Sequence, residues 1–407
     1  MHVSPASRIA GLKYAIRNIA SKAAALEAKG RRILYLNIGD PLLYDFETPP
    51  ALVEATAQAM RDGKNYYGSS YGVPIAREAI ANSLGGQNVD VAPGDVFVTS
   101  GASEGIEASM TAMLEPGDNV LTPMPGYPLY SAVLCKLNAE ERQYRQVPED
   151  HWKPDLEQAE SLVDERTRAI VLINPSNPTG AVWDEATLLS VIEFARRHNL
   201  VIFADEVYHT LTYGPRPPRI SSIAGDVPVV AFDSLSKAFL ATGWRVGWLS
   251  LHGEALQGEY KASLCRILDA RLCSPTPPQF AIPVALASDG SHLEAAMTKL
   301  RARRAATVSG LNSIPGFTCD EPAGAFYVMA KFGNLGGETD ETFVLDVLES
   351  AGVLFVHGSG FGMDPKDGFM RIVYLPDVPV LEAAFEGLAG VAARWTDRAK
   401  ASKALAP

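Results

Sequence analysis

A lysine and an arginine lie eight residues apart in SLSKAFLATGWRVGW, residues 234–248. Lys237 follows an apolar run and two serines, Ser234 and Ser236, and Arg245 lies among glycines and tryptophans. A lysine amine can form a Schiff base with a carbonyl, and the planar fork of an arginine can bind a dianionic phosphate. Together these residues indicate pyridoxal phosphate, an aldehyde that carries a phosphate. The alternative is an exposed lysine at a helix start beside a structural arginine.

A carboxylate ends another apolar run, LVIFAD, and a tyrosine follows it three residues later. At the end of a strand, Asp205 can pair with a protonated pyridine nitrogen and make the ring an electron sink. Tyr208 can then reach the phenolic oxygen of the same ring. The alternative is that Asp205 caps the N-terminus of a helix, a position that favours aspartate.

Three further segments place polar or aromatic groups after predicted strands. In INPSNPTG, residues 173–180, the prolines make a rigid turn, from which Asn177 can bond a ring oxygen and a substrate carboxylate. Ser103 lies in SGASEGI at a predicted helix start, where backbone N–H groups bind anions. Tyr127 can stack on a cofactor ring. Each segment alone is equally consistent with an ordinary turn or with core packing.

Arg371 lies in the strand-like segment FMRIVYLPD. An arginine on an apolar strand costs desolvation energy unless an anion meets it, and its fork suits an α-carboxylate. A salt bridge to an acidic neighbour is the alternative.

From about residue 95 onward, apolar strands alternate with helical patterns. This alternation predicts a mainly parallel sheet that is covered on both faces by helices. The candidate residues follow the strands, at the edge where such sheets bind ligands. The predicted strands are DVFVTS, NVLTPM, AIVLIN, LVIFAD, VVAFDS and VGWLSL, and the helices between them include 103–114, 184–198 and 253–270.

The length of 407 residues predicts two domains. We expect a large cofactor-binding domain over 49–285 and a smaller α+β domain over 286–407. Residues 1–48 are predicted to form a helix and an arm that joins the small domain. Apolar residues recur at helical spacing over 5–30, which predicts one amphipathic helix there.

Composition argues against several classes of partner. The net charge of −11 argues against nucleic acid, which is bound by clustered basic residues. No run approaches the roughly 20 apolar residues of a membrane span, and the basic N-terminal sequence does not resemble a secretory signal. The four cysteines show no C-x-x-C pairing, so the sequence predicts a cytoplasmic protein without a metal site.

Taken in order, INPSNPTG, DEVY, SLSK with GWRVGW, and AGAFY with a late FMRI resemble the class I aminotransferases. These are fold-type-I enzymes that depend on pyridoxal phosphate. The resemblance covers about residues 30–390, and the combination of motifs is specific although each motif alone is weak. The segments LNIGDPLLYDF, NYYGSSYG, RLCSPTPPQFA and VLFVHGSGFG are most similar to prokaryotic alanine aminotransferases.

The resemblance implies a role for each cofactor-binding residue. Lys237 is the Schiff-base lysine and proton shuttle, and Asp205 is the partner of the pyridine nitrogen. Tyr208 and Asn177 are similar to the groups on the ring oxygen, and Tyr127 is similar to the stacking aromatic residue. The residues that match the phosphate site are Ala102, Ser103, Ser234 and Arg245. The family's usual NPNNPTG is NPSNPTG here, a change beside Asn177 from which we expect little effect.

The resemblance also implies substrate-binding residues and a partner subunit. Gly39 and Arg371 match the groups that receive the substrate carboxylate. Tyr67 lies five residues before Gly72, like the tyrosine that reaches the phosphate of the neighbouring subunit, so a homodimer with shared sites is expected. Arg17, in KYAIR, matches an arginine that could swing towards a dicarboxylate substrate; a surface arginine is the alternative.

The expected function is transamination between a small neutral amino acid, with alanine favoured, and 2-oxoglutarate by a ping-pong mechanism. The alternatives are an aminotransferase for aspartate, aromatic or other amino acids, and a pyridoxal phosphate β-lyase or decarboxylase on the same scaffold. A non-catalytic regulator would need an attached DNA-binding domain, for which the sequence before residue 30 is too short.

Overall fold

The protein is described by a computed structural model that covers residues 3–12 and 15–405. Within these ranges, the α-helices are α1 (Ala15–Glu27), α2 (Pro50–Arg61), α3 (Pro74–Gly85), α4 (Ala102–Thr111), α5 (Pro128–Leu137), α6 (Leu156–Glu160), α7 (Glu185–Arg197), α8 (Glu259–Arg271), α9 (Thr276–Gln279), α10 (Ala281–Leu286), α11 (Ser291–Asn312), α12 (Asp340–Ala351) and α13 (Val378–Leu405). The strands are β1 (Leu34–Tyr35), β2 (Val96–Thr99), β3 (Asn119–Met124), β4 (Glu140–Val147), β5 (Lys153–Pro154), β6 (Thr167–Ile173), β7 (Val201–Asp205), β8 (Val229–Ser234), β9 (Gly247–His252), β10 (Phe317–Cys319), β11 (Tyr327–Phe332), β12 (Val353–Leu354), β13 (Val356–His357) and β14 (Phe369–Val373).

The larger sheet has the strand order β2-β9-β8-β7-β6-β3-β4-β5. Its central strands, from β8 to β4, run parallel, whereas β9 runs antiparallel to both of its neighbours. The predicted mainly parallel sheet is therefore confirmed, and the antiparallel β9 and β5 make it mixed.

Helices cover both faces of this sheet because its central strands are apolar on both sides. Successive residues of β7 point to opposite faces. Ile202 and Ala204 pack in a core with α7, whereas Phe203 packs in a second core with α4, α5 and α8. These two cores hold the strand ends in place, and the predicted site residues lie at or next to those ends.

The smaller sheet is antiparallel, with the order β10-β11-β14-β13, and β1 pairs with β12 in a separate two-stranded ribbon. The core of the smaller sheet includes apolar residues of α11, α12 and α13. The same core takes in Ile19 and Ala23 of α1, so the N-terminal segment packs with the smaller sheet.

Two local predictions differ from the structure. The single helix predicted over 5–30 is a 3₁₀ helix, Ser7–Gly11, followed by α1, and the prediction of a continuous helix was wrong because Leu12 is extended. Strand β4 was not predicted. Its sequence, EERQYRQV, is polar because most of its residues are at least partly exposed, so the apolar signal is weak.

Candidate active site

Most of the predicted site residues line one cavity of about 720 Å³. The cavity lies where the carboxyl ends of β6, β7 and β8 meet the start of α4 and residues of the smaller sheet. The predicted residues that line it are Gly39, Ala102, Ser103, Tyr127, Asn177, Asp205, Tyr208, Ser234, Lys237, Arg245 and Arg371. Residues separated by more than 300 positions in the chain therefore meet in one place.

Lys237 lies three residues beyond the end of β8, in the turn that follows this strand. Its Nζ donates a hydrogen bond of 2.6 Å to the carbonyl oxygen of Gly39. Burial lowers the pKa of Lys237 to about 8, because desolvation disfavours the charged amine; Asp40 opposes the shift and Arg371 adds to it. An amine with this pKa is partly neutral near physiological pH, so it can act as a nucleophile and as a base.

Asp205 is the last residue of β7 and is buried. Burial raises the pKa of Asp205 to about 7, although two hydrogen bonds of 3.3 Å, from the Val207 N–H and the Tyr130 hydroxyl, oppose the shift. The residues after Asp205 form a turn, so the structure does not support the helix-cap alternative. None of the basic side chains that the structure describes forms an ion pair with Asp205, and a cation placed against it would favour the carboxylate.

An anion-binding corner forms where β9 approaches the start of α4. Arg245 donates to the carbonyl oxygens of Thr242 and Ser100 at 3.1 and 3.3 Å. Gly101 adopts φ +77°, and a Cβ atom there would lie 2.2 Å from Nη2 of Arg245. A Cβ atom on Gly247 would lie 2.3 Å from the backbone nitrogen at the start of α4. The close approach of these segments therefore requires glycine.

This corner supplies the donors that a phosphate needs. The first N–H groups of a helix have no partner within the helix, and they attract anions. Ala102 and Ser103 form the first turn of α4 and line the cavity beside Arg245. Ser234 lines the same cavity, and its Oγ accepts the N–H of Ser236 at 3.2 Å.

The opposite wall carries a buried guanidinium. Arg371, in the middle of β14, donates to Oδ1 of Asn177 at 2.9 Å and to the carbonyl oxygen of Asn37 at 2.5 Å. Its Cζ lies 4.8 Å from the ring centres of both Tyr327 and Phe361. These contacts fix the plane of the guanidinium at the cavity wall, where it suits a carboxylate.

Tyr327 and Tyr130 lie in this region, although neither was among the predicted site residues. The hydroxyl groups of Tyr208 and Tyr327 lie 2.7 Å apart, and Tyr327 also lines the cavity. A Cβ atom on Gly39 would lie 2.1 Å from the Tyr327 hydroxyl. Tyr130 bonds Asp205 from α5. Tyr327 lies in the AGAFY motif, and Tyr130 lies three residues after Tyr127, so both are close in sequence to motifs or residues that were predicted.

Two predicted residues stand apart from this cavity. Tyr67 does not line it and is 82% exposed, in the loop between α2 and α3. Arg17 belongs to α1, but its side chain lies outside the described residues. Ala20, one helical turn later, does line the cavity.

No helix among the residues described is both long and apolar enough to span a membrane. No group of three or more histidine, cysteine, aspartate or glutamate residues is arranged to hold a metal ion in this part of the chain.

The side chains in the cavity fit pyridoxal phosphate. The amine of Lys237 suits its aldehyde, the buried carboxyl of Asp205 suits a protonated ring nitrogen, and the corner around Arg245 suits its phosphate. A helix-covered, mainly parallel sheet with these groups at its edge is the arrangement of fold-type-I enzymes that depend on pyridoxal phosphate.

Comparison with known proteins agrees with this class. The chain matches the family described as aminotransferase class I and II over residues 31–386, and it belongs to that family. It is therefore an aminotransferase that uses pyridoxal phosphate.

Individual relatives cover nearly the whole chain. The chain is 36% identical to a glutamate-pyruvate aminotransferase, AlaA, from Haemophilus influenzae, over 92% of this chain and 95% of the relative. It is 35% identical to an alanine aminotransferase from Mycobacterium bovis, over 94% and 91% of the two chains. An alanine aminotransferase structure from Pyrococcus furiosus superposes with a TM-score of 0.93 at 38% identity and covers 96% of this chain and 100% of the other.

Proposed function

We propose that this chain transfers the amino group between alanine and 2-oxoglutarate, giving pyruvate and glutamate by a ping-pong mechanism. The observation that carries the proposal is the meeting of three groups in one cavity: the amine of Lys237, the buried carboxyl of Asp205 and the guanidinium of Arg371. The names of the relatives from Haemophilus influenzae, Mycobacterium bovis and Pyrococcus furiosus support alanine as the amino donor.

Each of these groups has a place in the reaction. Pyridoxal phosphate, when bound, supplies an aldehyde that links the amino acid covalently and a ring that draws electrons from its α-carbon. Arg371 and Asn177 hold the α-carboxylate, which orients the α-hydrogen. Lys237, whose buried amine is partly neutral, would take up that α-proton and hold it on Nζ until it is returned. Asp205, as a carboxylate, keeps the ring nitrogen protonated.

The remaining predicted residues position the cofactor. We assign the phosphate to Arg245, Ser234 and the first turn of α4, formed by Ala102 and Ser103. Tyr208 and Asn177 would hold the ring oxygen. Tyr127, which occupies the N-cap position of α5 and lines the cavity, would stack on the ring.

Part of the cavity lining suits a small neutral amino acid. Ala20, Ile38 and Leu43 are apolar residues among those that line the cavity. A second carboxylate buried against such a wall costs free energy unless a cation meets it. The structure therefore supports alanine as the donor, and we propose that Arg17 serves the dicarboxylate partner.

We propose a homodimer in which each site is completed by Tyr67 of the other subunit. Exposed apolar side chains gather on α2, α3, α10 and the loop that carries Tyr67, and surfaces of this kind commonly mark interfaces. The residues are Val53, Met60, Tyr66, Tyr67, Ile75 and Val284.

A cytoplasmic location stays a prediction from the sequence. It is supported by the four free cysteines, since reducing compartments keep thiols unpaired.

A substrate panel tests the activity. Purified enzyme is incubated with single amino acids against pyruvate and 2-oxoglutarate, and the new amino acid and 2-oxo acid are quantified. Alanine with 2-oxoglutarate should give the highest kcat/KM. A higher value for aspartate or an aromatic amino acid would reassign the donor. Pyruvate and ammonia formed without an acceptor would indicate a lyase.

Mixed dimers test the shared site. Subunits with Tyr67→Phe are combined with subunits with Lys237→Ala. In a shared arrangement, one site of each mixed dimer has both intact residues, so activity should rise above that of either parent variant. If each site were built within one chain, no mixed dimer would gain an intact site and activity would not rise.

A further inference from the structure

A buried ion cluster lies next to the active-site ends of β7 and β8. Arg219 donates through Nη1 to Oε2 of Glu206 and through Nη2 to Oδ2 of Asp233, both at 2.8 Å, and through Nε to Gln87 at 2.9 Å. The Arg219 and Glu206 side chains are 7% and 6% exposed. The second Glu206 oxygen accepts the backbone N–H of Ile220 at 2.9 Å. These charges are therefore held in one geometry.

Each carboxylate of the cluster is the chain neighbour of an active-site residue. Glu206 follows Asp205 at the end of β7, and Asp233 precedes Ser234 at the end of β8. Neighbouring residues of a strand point in opposite directions, and Asp205 and Ser234 line the cavity whereas the two cluster carboxylates do not. Arg219 therefore links the two strand ends from the side away from the cavity.

The backbone couples the same two strands. β7 and β8 are parallel neighbours, and the N–H of Glu206 donates to the carbonyl oxygen of Phe232 at 3.0 Å. A shift at either end of the cluster would therefore move the backbone that carries Asp205 or Ser234.

The charges of the cluster also affect the pKa of Asp205. One guanidinium faces two carboxylates. Burial would raise the pKa of Glu206, but Arg219 outweighs it and holds this pKa below its ordinary value. Burial raises the pKa of Asp233, and Arg219 opposes the rise. Both carboxylates also push the pKa of Asp205 upwards, so the cation between them offsets a charge that disfavours the ionised form.

The other titratable groups around Asp205 and the cluster do not take over this function. Burial lowers the pKa of His209 and His252 to about 4, so both are neutral near pH 7. Burial raises the pKa of Tyr130 well above its ordinary value, so its hydroxyl stays protonated. Lys237 and Tyr208 also interact with the charge of Asp205; burial raises the pKa of Tyr208 well above its ordinary value, and both residues belong to the reaction site itself.

We propose that Arg219 is a positioning residue for the transamination: by pairing with Glu206 and Asp233 it holds the ends of β7 and β8 together and keeps Asp205 ionised against the ring nitrogen. This inference rests on the proposed function, because it uses the role assigned there to Asp205.

The test compares variants that change the charge of the cluster in opposite directions. Arg219→Met removes the cation, whereas Asp233→Asn removes an anion, and Arg219→Lys keeps the charge without the fork. Each enzyme is loaded with pyridoxal phosphate labelled with ¹⁵N in the ring, and the nitrogen chemical shift is followed against pH. Urea unfolding of each variant is measured in parallel.

All three substitutions should lower stability against urea, since each removes hydrogen bonds of a buried group. The ring nitrogen should behave differently. Its deprotonation midpoint should rise by about one pH unit in Arg219→Met, because loss of the cation leaves more negative charge around Asp205 and the ring nitrogen and disfavours loss of their shared proton. Below the midpoint, where the two groups share one proton, the nitrogen shift should move towards the unprotonated value, because the added negative charge favours a neutral Asp205. The midpoint should fall in Asp233→Asn and stay near that of the parent in Arg219→Lys.

Shifts of the same sign in Arg219→Met and Asp233→Asn would overturn the inference, as would unchanged midpoints beside lowered stability. If Arg219→Met does not fold, Glu206→Gln takes its place, and a midpoint that rises or does not move in Glu206→Gln and Asp233→Asn would contradict the inference. If the parent enzyme binds the cofactor and transaminates but the midpoints of the variants do not shift in the expected directions, only the proposed role of Arg219 is rejected. A parent enzyme that does not transaminate counts against the proposed function.

Discussion

The two walls of the cavity are built in different ways. On the wall of the larger sheet, Asp205 and Ser234 are the last residues of β7 and β8, and Lys237 follows three residues later. Their positions follow from short stretches of chain and from the ladder between parallel strands. On the wall of the smaller sheet, Arg371 reaches in from the middle of β14, and its two partners lie 194 and 334 residues away in the sequence.

This difference in construction suggests that the wall of the larger sheet serves catalysis and the wall of the smaller sheet serves substrate recognition. Groups fixed by one strand end keep their geometry when the two sheets shift, so they suit proton transfer and charge stabilisation. Groups held by contacts between distant segments respond to what lies between the sheets, so they suit recognition of a substrate. We therefore expect substitutions on the first wall to act on kcat and substitutions on the second wall to act mainly on KM.

Lys237→Ala should have the largest effect, because the first wall then loses the group assigned to bond the cofactor and move the proton. Essentially all turnover should disappear, and borohydride should no longer fix the cofactor to the protein. Lys261→Ala is a matched control, since Lys261 is also partly buried but pairs with Asp95 away from the cavity. A reducible cofactor bond in Lys237→Ala would place the linkage on another lysine.

Asp205→Asn should have the next largest effect, because the amide cannot hold the ring nitrogen protonated. Exchange of the α-proton of alanine with solvent should slow by more than about 100-fold. Exchange within about tenfold of the parent, roughly 1.4 kcal/mol of barrier, would contradict the assigned role. Asp118→Asn serves as the control, because Asp118 is buried and pairs with Arg168.

Arg371→Lys tests the second wall. A lysine keeps the charge but loses the fork that binds a carboxylate through two hydrogen bonds. KM for alanine should rise about tenfold or more, with a smaller change in kcat. Arg303→Lys is the control, since Arg303 is also buried and its ion pair is made with Asp45. A fall in kcat at unchanged KM would remove the distinction between the walls.

Arg17→Ala should have the smallest effect, and it tests whether the substrate-binding side of the cavity extends to α1. If Arg17 meets the second carboxylate of a dicarboxylate, KM for glutamate and 2-oxoglutarate should rise about fivefold while KM for alanine stays unchanged. Equal losses for both substrates would mean that Arg17 acts by docking α1. Unchanged KM values for all of these substrates would indicate that Arg17 is a surface residue that does not contact substrate.

The sequence predicted the first wall better than the second. Central strands buried on both faces form continuous apolar runs, and a residue that ends such a run must lie at the ligand-binding edge. Asp205 and Lys237 were found in this way. Strand β4 was missed because it is polar, and the single helix over 5–30 failed because an extended Leu12 interrupts it.

Contacts between distant segments leave no pattern in the local amino-acid sequence from which they could be predicted. The hydroxyl pair of Tyr208 and Tyr327 joins residues 119 positions apart, and the cluster around Arg219 joins three separate segments. The positions of Gly39 and Arg371 came from the family resemblance or from the cost of a buried charge. Spacing alone did not predict that they share a wall.

The close approach of Gly39 to Tyr327 restricts how this site can diverge. A methyl group at position 39 would lie 2.1 Å from the hydroxyl oxygen and 2.8 Å from Cζ of the tyrosine, so removing the hydroxyl alone does not make room. A larger residue at position 39 requires a smaller side chain at position 327, and the smaller side chain must come first. Homologues that recognise other substrates should therefore change these two positions together, and lineages that keep the tyrosine should keep the glycine.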